Sequence, residues 1–396
     1  MAFVFTHTAF YAVLRRELKR MVSRRLYWGV CIVLPLFCIF FMATIFGNGQ
    51  MERIPIGVVD QDQTVLSREI IRLVDAVPTF HVVQHFTDQV TARRATQTKK
   101  IYGYLLIPNN FEAKVLSGRQ STLAYYYHYA LLSVGGEVHA AFETVLRQVA
   151  MTPVISQATA LGMGEKMITS FLLPIQESSH PLFNPDLDYS VYLSSPFFFV
   201  LLQVIILLTT VYVVGSEIKF GTGQAWLATA RGNIFVAVGG KLLPYTLIFC
   251  LMSILANYVM FGLLHIPFSC GFFPLNLTAV LFVVATQALA LFIFSVFPVM
   301  SLVISVVSMV GSLGATLSGV TFPVPSMYPP VYYASFLFPV RHFVEIYQNL
   351  LYGNYGFAWT WANYSLLLCF LLPAICLLPR LKRALVNEEK WNRLVD

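Results

Sequence analysis

A short polar stretch, Gly215-Ser-Glu-Ile-Lys-Phe-Gly-Thr-Gly-Gln224, separates two long apolar segments of the chain. The apolar segment 196–214 precedes it, and a second one, 242–264, follows shortly afterwards. Charged side chains are costly in hydrocarbon, and this part of the chain carries Glu217, Lys219, Arg231 and Lys241. We therefore interpret residues 215–241 as a loop at a membrane face. Its three basic residues predict the cytoplasmic face.

The composition agrees with a membrane protein. Of the 396 residues, 57% are hydrophobic and 11% are charged, whereas about 25% of the residues of a soluble domain are charged. Residues 47–192 carry a net charge of −2, and the remainder carries +9. This asymmetry predicts an extracytoplasmic insert between basic cytoplasmic margins. Because the basic residues flank apolar segments, nucleic-acid binding is not indicated.

The predicted fold class is an α-helical polytopic membrane protein of six transmembrane helices with an inserted α/β extracytoplasmic domain. The six predicted spans are about 27–46, 194–214, 242–264, 275–297, 299–320 and 359–379. An even number of spans leaves both basic termini on one side, which predicts that both are cytoplasmic. The predicted domains are a cytoplasmic amphipathic helix (1–25), a first transmembrane helix (26–46), the α/β domain (47–192), a five-helix transmembrane domain (193–380) and a cytoplasmic tail (381–396).

Residues 8–25 have apolar side chains near helical spacing with six Lys or Arg between them. This pattern predicts an amphipathic helix on the inner membrane face, with its cations toward anionic headgroups. A carboxylate at Glu217 is not needed for membrane anchoring. We expect it to make a charge-assisted contact, either with a basic residue of a partner or with Arg15, Arg16 or Lys19 of this helix.

Strands and helices alternate in the predicted insert. Strands are predicted at 54–59, 80–86, 103–107 and 123–129, with helices at 65–75, after Thr87 and at 110–116, and a longer helix at 136–171. Asp60, Asp62 and His81 admit a metal site, but turn and capping roles are favoured for the two aspartates. The six cysteines avoid the insert and contain no C-x-x-C, so the sequence predicts neither a zinc site nor a disulfide framework.

Two features near the end of the chain concern packing and the exit side. Gly311, Ala315 and Gly319 recur every fourth residue and predict close approach of a neighbouring helix, within the subunit or at a dimer seam. Residues 321–345 are apolar but contain five prolines, which predicts a re-entrant segment rather than a span. Its polar residues form either a boundary anchor or a polar lip on the exit. The candidate residues of this exit segment are Pro323, Pro325, Pro339, Arg341, His342 and Glu345.

These motifs resemble a known family. The stretch 215–224 with Gly240-Lys-Leu-Leu-Pro-Tyr245 is similar to the cytoplasmic loop of ABC-2 type permeases. Leu317-Ser-Gly-Val-Thr-Phe-Pro-Val-Pro-Ser-Met-Tyr-Pro-Pro330 with Phe338-Pro-Val-Arg-His-Phe-Val-Glu345 resembles the family's re-entrant segment. Val59-Asp-Gln-Asp62 and Phe183-Asn-Pro-Asp-Leu187 resemble the branch with a large extracytoplasmic domain after the first helix.

The resemblance implies a permease subunit of an ATP-binding-cassette exporter in the bacterial inner membrane. The implied partners are a separate ATPase subunit, which carries the ATP and Mg, a second permease that is identical or different, membrane lipid, and a periplasmic membrane-fusion protein. No cofactor is expected on this chain, which has no phosphate-binding loop and no H-E-x-x-H or G-x-S-x-G motif. The residues expected to couple to the ATPase are Glu217, Lys219, Gly221, Thr222, Gln224 and Lys241.

Within that loop, Gly221 is expected to form a tight turn and Thr222 to cap a helix. Gln224 replaces the acidic residue usual in the family, which implies a weaker ATPase contact or one shared with a non-identical permease. The predicted cargo is hydrophobic or amphiphilic, because the spans hold few charges. Two other functions are alternatives to export. An ATP-driven mechanical transducer would act on a periplasmic partner without transport, and a polytopic enzyme would need convergent polar groups that the sequence does not indicate.

Overall fold

A computed structural model describes residues 2–45, 49, 51–160, 184, 188, 190–353 and 356–387, without the side chains of residues 2–7, 132 and 152–160. Chain contacts divide the protein into two compact units: Met1–Gly49 with Leu182–Asp396, and Gln50–Pro181. The first is helical and the second is an α/β unit. The predicted insert, 47–192, covers the second unit, although most of residues 161–189 lie outside the described part of the chain.

The helical unit begins with two helices, α1 (Ala2–Ser23) and α2 (Arg25–Ile45). Arg24 has extended backbone torsion angles and separates them, so the predicted amphipathic helix ends two residues earlier than expected. Ala9, Val13 and Glu17 lie one turn apart on α1 and are buried. Leu18 and Val22 are 41% and 66% exposed. The side of α1 that packs on the other helices therefore includes a carboxylate.

The α/β unit contains a four-stranded sheet in the order β2-β1-β3-β4, with β1, β2 and β3 parallel and β4 antiparallel to β3. Parallel neighbours require crossover helices, and α3 and α4 supply them. Ile56, Val58 and Leu105 are completely buried in the core. The elements are β1 (Ile54–Asp60), α3 (Val65–Asp75), β2 (Phe80–Phe86), α4 (Gln89–Gln97), β3 (Gly103–Ile107), α5 (Phe111–Leu116), β4 (Ala124–Tyr127) and α6 (Leu132–Ala160).

The strand and helix predictions for this unit agree with the structure. The helix 65–75 and the strand 80–86 have the predicted bounds. The fourth strand is shorter than 123–129, and α6 begins four residues before the predicted 136, while the predicted end of α6 lies outside the described residues. The alternation of apolar and polar residues, together with the turn residues, indicates each of these strands and helices within a short stretch of sequence. This explains why the elements of this unit could be predicted from the sequence.

Asp60 and Asp62 act in turns and at helix ends. Asp60 Oδ1 accepts hydrogen bonds from the backbone N–H groups of Asp62 and Gln63. The Asp62 carboxylate accepts from the N–H groups of Phe111 and Glu112, at 2.9 and 3.0 Å, and so caps the start of α5. The described residues contain no cluster of three metal-ligating side chains. The predicted turn and capping roles are therefore confirmed, the turn for Asp60 and the cap for Asp62.

We expect segment 50–190 to unfold cooperatively when expressed alone, because it has its own core. The Asp62→Ala variant should lower the free energy of unfolding of this segment by about 1–2 kcal/mol at neutral pH, since α5 loses its cap. Urea denaturation followed by circular dichroism measures this difference. Glu69→Gln, at an exposed position on α3, is the matched control and should leave stability unchanged. Non-cooperative unfolding of the segment would contradict the expectation of an independent core.

The Asp62 effect should also depend on pH. Burial opposes ionisation of Asp62, but bonds from the Glu112 N–H, the Thr64 hydroxyl and the Phe111 N–H outweigh it and hold its pKa below the usual value. A lowered pKa stabilises the folded state above the ordinary carboxyl pKa, about 4. That contribution is lost as the pH falls through the lowered value. The stability difference between the parent segment and Asp62→Ala should therefore shrink in strong acid.

The remaining helices complete the helical unit, and breaks at proline and glycine separate the shorter ones. Wide π turns occur within α2 (Gly29–Val33), at the start of α7 (Ser190–Ser194) and at the end of α9 (Tyr258–Leu263). The helices are α7 (Ser190–Lys219), α8 (Gly223–Thr229), α9 (Ile234–Leu263), α10 (Phe272–Val296), α11 (Met300–Thr316), α12 (Pro329–Ser335), α13 (Pro339–Gln348), α14 (Phe357–Cys369) and α15 (Leu371–Val386).

Five apolar helical segments in the described part of the chain are long enough to cross a membrane: α2, α7, α9, α10, and α14 with α15. Helix α11 has 17 residues, about 25 Å, which is shorter than a bilayer core of about 30 Å. The predicted fifth span, 299–320, is therefore too long at its C-terminal end. Turn residues follow Thr316, and Gly319 has a φ of +91° that a helix does not accommodate. The predicted tail, 381–396, begins as the last turns of α15, and its final residues lie outside the described part.

Candidate functional site

The predicted coupling loop, 215–241, is mostly helical. Gly215 to Lys219 form the last residues of α7, α8 occupies the middle, and Lys241 lies in the third turn of α9. The prediction of a loop was wrong because it treated each charge as isolated and in need of water. Glu217 and Lys241 are instead fully buried and paired with each other. A paired charge can remain inside a helical bundle, whereas an isolated one cannot.

Three helices meet at a buried ion cluster, which we define as Glu17, Glu217 and Lys241 with Arg16 and Arg20. The Lys241 ammonium donates to Glu17 Oε2 and to Glu217 Oε1, both at 2.7 Å. These contacts join α1, α7 and α9, and Glu17 is 1% exposed. Lys241 Nζ also lies 5.0 Å from the centre of the Trp226 ring on α8. One lysine therefore links four helices.

The Glu217 carboxylate is held from α1 by two arginines. Arg16 forms two parallel hydrogen bonds with it, from Nη1 to Oε1 at 3.2 Å and from Nη2 to Oε2 at 2.9 Å. Arg20 Nη1 donates to Oε1 as well, and Arg20 Nη2 donates to Ser216 Oγ at 2.8 Å. Two-pronged arginine–carboxylate pairs fix orientation as well as distance. The cluster therefore fixes the rotation of α1 about its own axis.

The charges of the cluster are nearly balanced, and further polar groups complete its hydrogen bonding. Two carboxylates meet three cations, which leaves a formal charge of +1. The Tyr245 hydroxyl donates to Glu17 Oε1 at 2.8 Å, and the Thr222 hydroxyl donates to Glu217 Oε2. Removing one partner of such a network leaves an uncompensated buried charge, at a cost of about 3–5 kcal/mol. The cluster is therefore sensitive to single substitutions.

Helices α1 and α9 also make a very close backbone approach beside the cluster. A Cβ atom added at Gly240 would lie 3.1 Å from the Val13 side chain and 3.2 Å from the Phe10 carbonyl oxygen. The adjacent Gly239 is exposed, and a Cβ there would meet only the Phe10 ring at 3.6 Å. Gly240 therefore permits the helix contact that brings Glu17 to Lys241.

The sequence interpretation identified part of this cluster and missed the rest. It named Glu217, Lys241 and Arg16, and it expected Glu217 to contact α1. Arg16 and Arg20 make that contact with Glu217, rather than Arg15 or Lys19, so these two arginines do not extend toward headgroups. Glu17 was not selected, although it is the single acidic residue among the cations of α1. That exception to the charge pattern was the available signal.

The other residues of the predicted loop surround the cluster without belonging to it. Lys219 ends α7 and is exposed, and Gly221 has a φ of +63°, as a tight turn requires. Thr222 precedes α8 but makes no side-chain capping bond to it, so the predicted cap is wrong and its hydroxyl binds Glu217 instead. Gln224 Nε2 donates to the Val386 carbonyl at 3.1 Å, which connects α8 to the end of α15.

The predicted re-entrant segment consists of short helices that start at proline residues. Pro323 precedes a single 3-10 turn that contains Pro325, and Pro339 is the first residue of α13. The Arg341 guanidinium stacks on the Phe336 ring, 4.1 Å from its centre, and lies 3.4 Å from the carboxylate of Glu345, one turn later on α13. His342 is buried and lies 3.1 Å from both Asn363 Oδ1 and the Phe336 carbonyl.

The predicted row of small residues is interrupted. Gly311 and Ala315 lie in α11, but Gly319 lies beyond its end. A Cβ added at Gly311 would be 3.0 Å from Val204 of α7. Gly314, which the sequence interpretation did not select, approaches α7 more closely, with a Cβ position 2.6 Å from Gln203 Nε2. The small residues therefore pack within the subunit, and this favours the first of the two predicted alternatives.

A second set of buried polar side chains joins α7 and α9 at the ends of these helices that lie away from the ion cluster. The Tyr347 hydroxyl donates to Asn257 Oδ1 at 2.7 Å and lies 2.6 Å from the Ser195 hydroxyl. Asn257 Nδ2 in turn donates to Asn276 at 2.9 Å. Tyr347 is completely buried. Buried polar chains in a membrane bundle hold helices together, because their groups have no other partners in hydrocarbon.

One face of α11 exposes hydroxyl groups although the helix is apolar. The exposed hydroxyl residues recur at three- and four-residue spacing, and the side chains of most of them bond to a carbonyl one turn earlier. Exposed apolar side chains, including Met309 and Leu313, lie beside them. This mixed face comprises Ser301, Ser305, Ser308, Ser312 and Thr316.

These features define the class of protein. The long apolar helices, joined through buried charges, are those of a multi-pass membrane protein. The chain belongs to the ABC-2 family transporter proteins, because residues 25–378 match that family. It is therefore a membrane subunit of an ATP-binding-cassette transporter, as the motifs indicate.

A curated relative matches a smaller part of the chain. It is the linearmycin resistance permease protein LnrN of Bacillus subtilis (strain 168), which is 24% identical over 109 residues. The matched stretch covers 28% of this chain and 28% of the relative. The chain therefore spans less than a third of the relative's length in this match. No solved structure matches the chain.

Proposed function

We propose that this chain is the permease subunit of an exporter that moves a hydrophobic or amphiphilic compound out of the cytoplasm or the inner leaflet of a bacterial inner membrane. A separate ATPase subunit supplies the energy and carries the ATP and Mg. A second permease subunit, of the same or a different sequence, completes the path. Both termini and α8 face the cytoplasm in this arrangement, as the basic residues around them favour.

The observation that carries the proposal is the buried ion cluster. It connects an amphipathic surface helix, α1, to two long helices, α7 and α9, and it lies beside the short helix α8 between them. A protein that pushes on α1 or α8 from outside the bilayer therefore moves both long helices. Because the contacts are short, paired and buried, little of that movement is lost in side-chain rearrangement.

The cargo class is supported by the surfaces of the membrane helices. The exposed face of α11 alternates hydroxyl and apolar side chains, which suits a compound with both characters. The charged residues of the candidate spans that belong to the ion cluster are paired with one another. A transported ion would therefore find few charged groups to bind along the path. The similarity to a permease named for linearmycin resistance supports the outward direction of transport.

Reconstitution of the purified complex in lipid vesicles tests this proposal. With the ATPase present and ATP outside, inside-out vesicles should accumulate a fluorescent amphiphile, because ATP-driven motion opens the path between the permeases. Vesicles given a non-hydrolysable ATP analogue provide the control. ATP hydrolysis that responds to a periplasmic protein but moves no amphiphile would contradict export, and would favour a mechanical transducer that acts on a periplasmic partner.

A further inference from the structure

A groove lies on one face of the α/β unit, between α4 and β4. Its volume is about 620 Å³, and all of its lining residues belong to the Gln50–Pro181 unit. Ligand pockets in proteins typically enclose about 300–1,000 Å³. The groove is therefore large enough for a small organic molecule.

Tyrosine rings line the strand side of the groove, and we call them its floor. The rings of Tyr104 on β3 and Tyr126 on β4 are stacked, with centroids 4.9 Å apart and an interplanar angle of 19°. Tyr126 is 42% exposed and Tyr129 is 54% exposed, whereas Tyr104 is buried. Flat aromatic surfaces of this kind attract rings and conjugated chains by stacking. The floor therefore favours a ligand with a planar section.

The opposite wall is one face of α4. Gln89, Arg93 and Thr96 follow helical spacing and line the groove. Arg93 makes no hydrogen bond or ion pair with the described residues, and none of the described lining residues is acidic. His128 Nδ1, which is buried in the lining, also lacks a hydrogen-bond partner among them. The lining of the groove therefore offers a cation and several hydrogen-bonding groups without a carboxylate to balance the cation.

We propose that this groove binds an amphiphile with an aromatic or conjugated section and one anionic group. The planar section stacks on Tyr126, and the Arg93 guanidinium pairs with the anion, because guanidinium binds carboxylates and phosphates through directed hydrogen bonds. A cationic compound of the same shape finds no counter-charge in the groove. Binding needs neither nucleotide nor the ATPase, so its measurement is independent of export.

Photolabelling of the full-length chain in lipid nanodiscs tests this site. The probe is 4-benzoylbenzoate, an aromatic carboxylate that forms covalent bonds on illumination, and mass spectrometry locates the labelled peptides. We expect saturable labelling within residues 89–130. The Arg93→Gln variant should need about tenfold more probe for half-saturation, since it loses one charge-assisted hydrogen bond. Tyr126→Ala should weaken labelling as well.

The neighbouring arginine provides a matched control. Arg94 is also exposed on α4 but does not line the groove, so Arg94→Gln should label as the parent does. Because both arginines are exposed, neither change should impair folding, and thermal unfolding verifies this. Equal labelling by a cationic benzophenone amine, or unchanged labelling of Arg93→Gln, would overturn the assignment of an anion site. Labelling that rises linearly without saturation would overturn the groove as a binding site.

Discussion

Replacing Glu217 with alanine is expected to abolish most substrate-stimulated ATPase activity and export, while the chain still inserts into the membrane. The change leaves Arg16, Arg20 and Lys241 with Glu17 as the remaining carboxylate of the cluster. Loss of one partner from a buried ion pair costs about 3–5 kcal/mol. The attachment of α1 to α7 should therefore fail before the bundle itself does. ATP hydrolysis and vesicle export, at matched expression, measure the effect.

Lys382→Ala is the control for Glu217→Ala. It removes an exposed charge on α15, outside the ion cluster and outside the predicted coupling residues. Its export should equal that of the parent chain. A double-mutant cycle with Glu17→Gln and Lys241→Met then measures the pair directly, because coupled partners give non-additive effects. Unchanged export by Glu217→Ala would reduce the cluster to a local structural feature and would contradict the proposed coupling.

Replacing Gly240 with leucine should have an effect of similar size by a different physical route. The first atom of the new side chain would lie 3.1 Å from the Val13 side chain, and the rest has no space between α1 and α9. The helices must separate, which draws Glu17 away from Lys241 without removing a charge. Overpacking of this kind costs about 1–3 kcal/mol, to which the weakened ion pair adds. We expect uncoupled ATPase activity and lost export.

The adjacent Gly239 provides a matched control for Gly240→Leu. Gly239→Leu introduces the same side chain at an exposed position of the same helix, where the nearest atom to its Cβ is 3.6 Å away. It should retain export, and its stability should equal or exceed that of the parent, because leucine favours helix more than glycine does. If both variants lose export equally, the contact between α1 and α9 is not the cause.

The parts of the fold that depend on residues close together in the sequence were predictable. The alternation around Ile54–Asp60 and the helix Val65–Asp75 followed from side-chain period and turn residues. Apolar length indicated the membrane-crossing helices, although the turn after Thr316 shortened one of them. Each of these signals lies within about 20 residues of sequence.

The ion cluster was only partly predictable, because its partners are distant along the chain. Glu17 and Lys241 are 224 residues apart, and a single sequence gives no sign of such a pairing. A hydropathy scale counts each charged residue as unfavourable in a membrane span, whether or not it is paired. Lys241 was therefore predicted to lie in the loop 215–241. The same limit applies to Gln203, whose side chain accepts from the Val340 N–H across the bundle.

The hydrogen bonds of the Tyr347 hydroxyl, together with the ion cluster, affect how α7 and α9 can move. Through Ser195 and Asn257 it ties α7 to α9 at one level, and Glu217 and Lys241 tie the same two helices at another. Along α7 these two levels are about 33 Å apart. Two helices that are joined at both levels cannot slide past each other or separate at one end. We therefore expect α7 and α9 to tilt as one rigid lever, so that a small displacement at one end reaches the other undiminished.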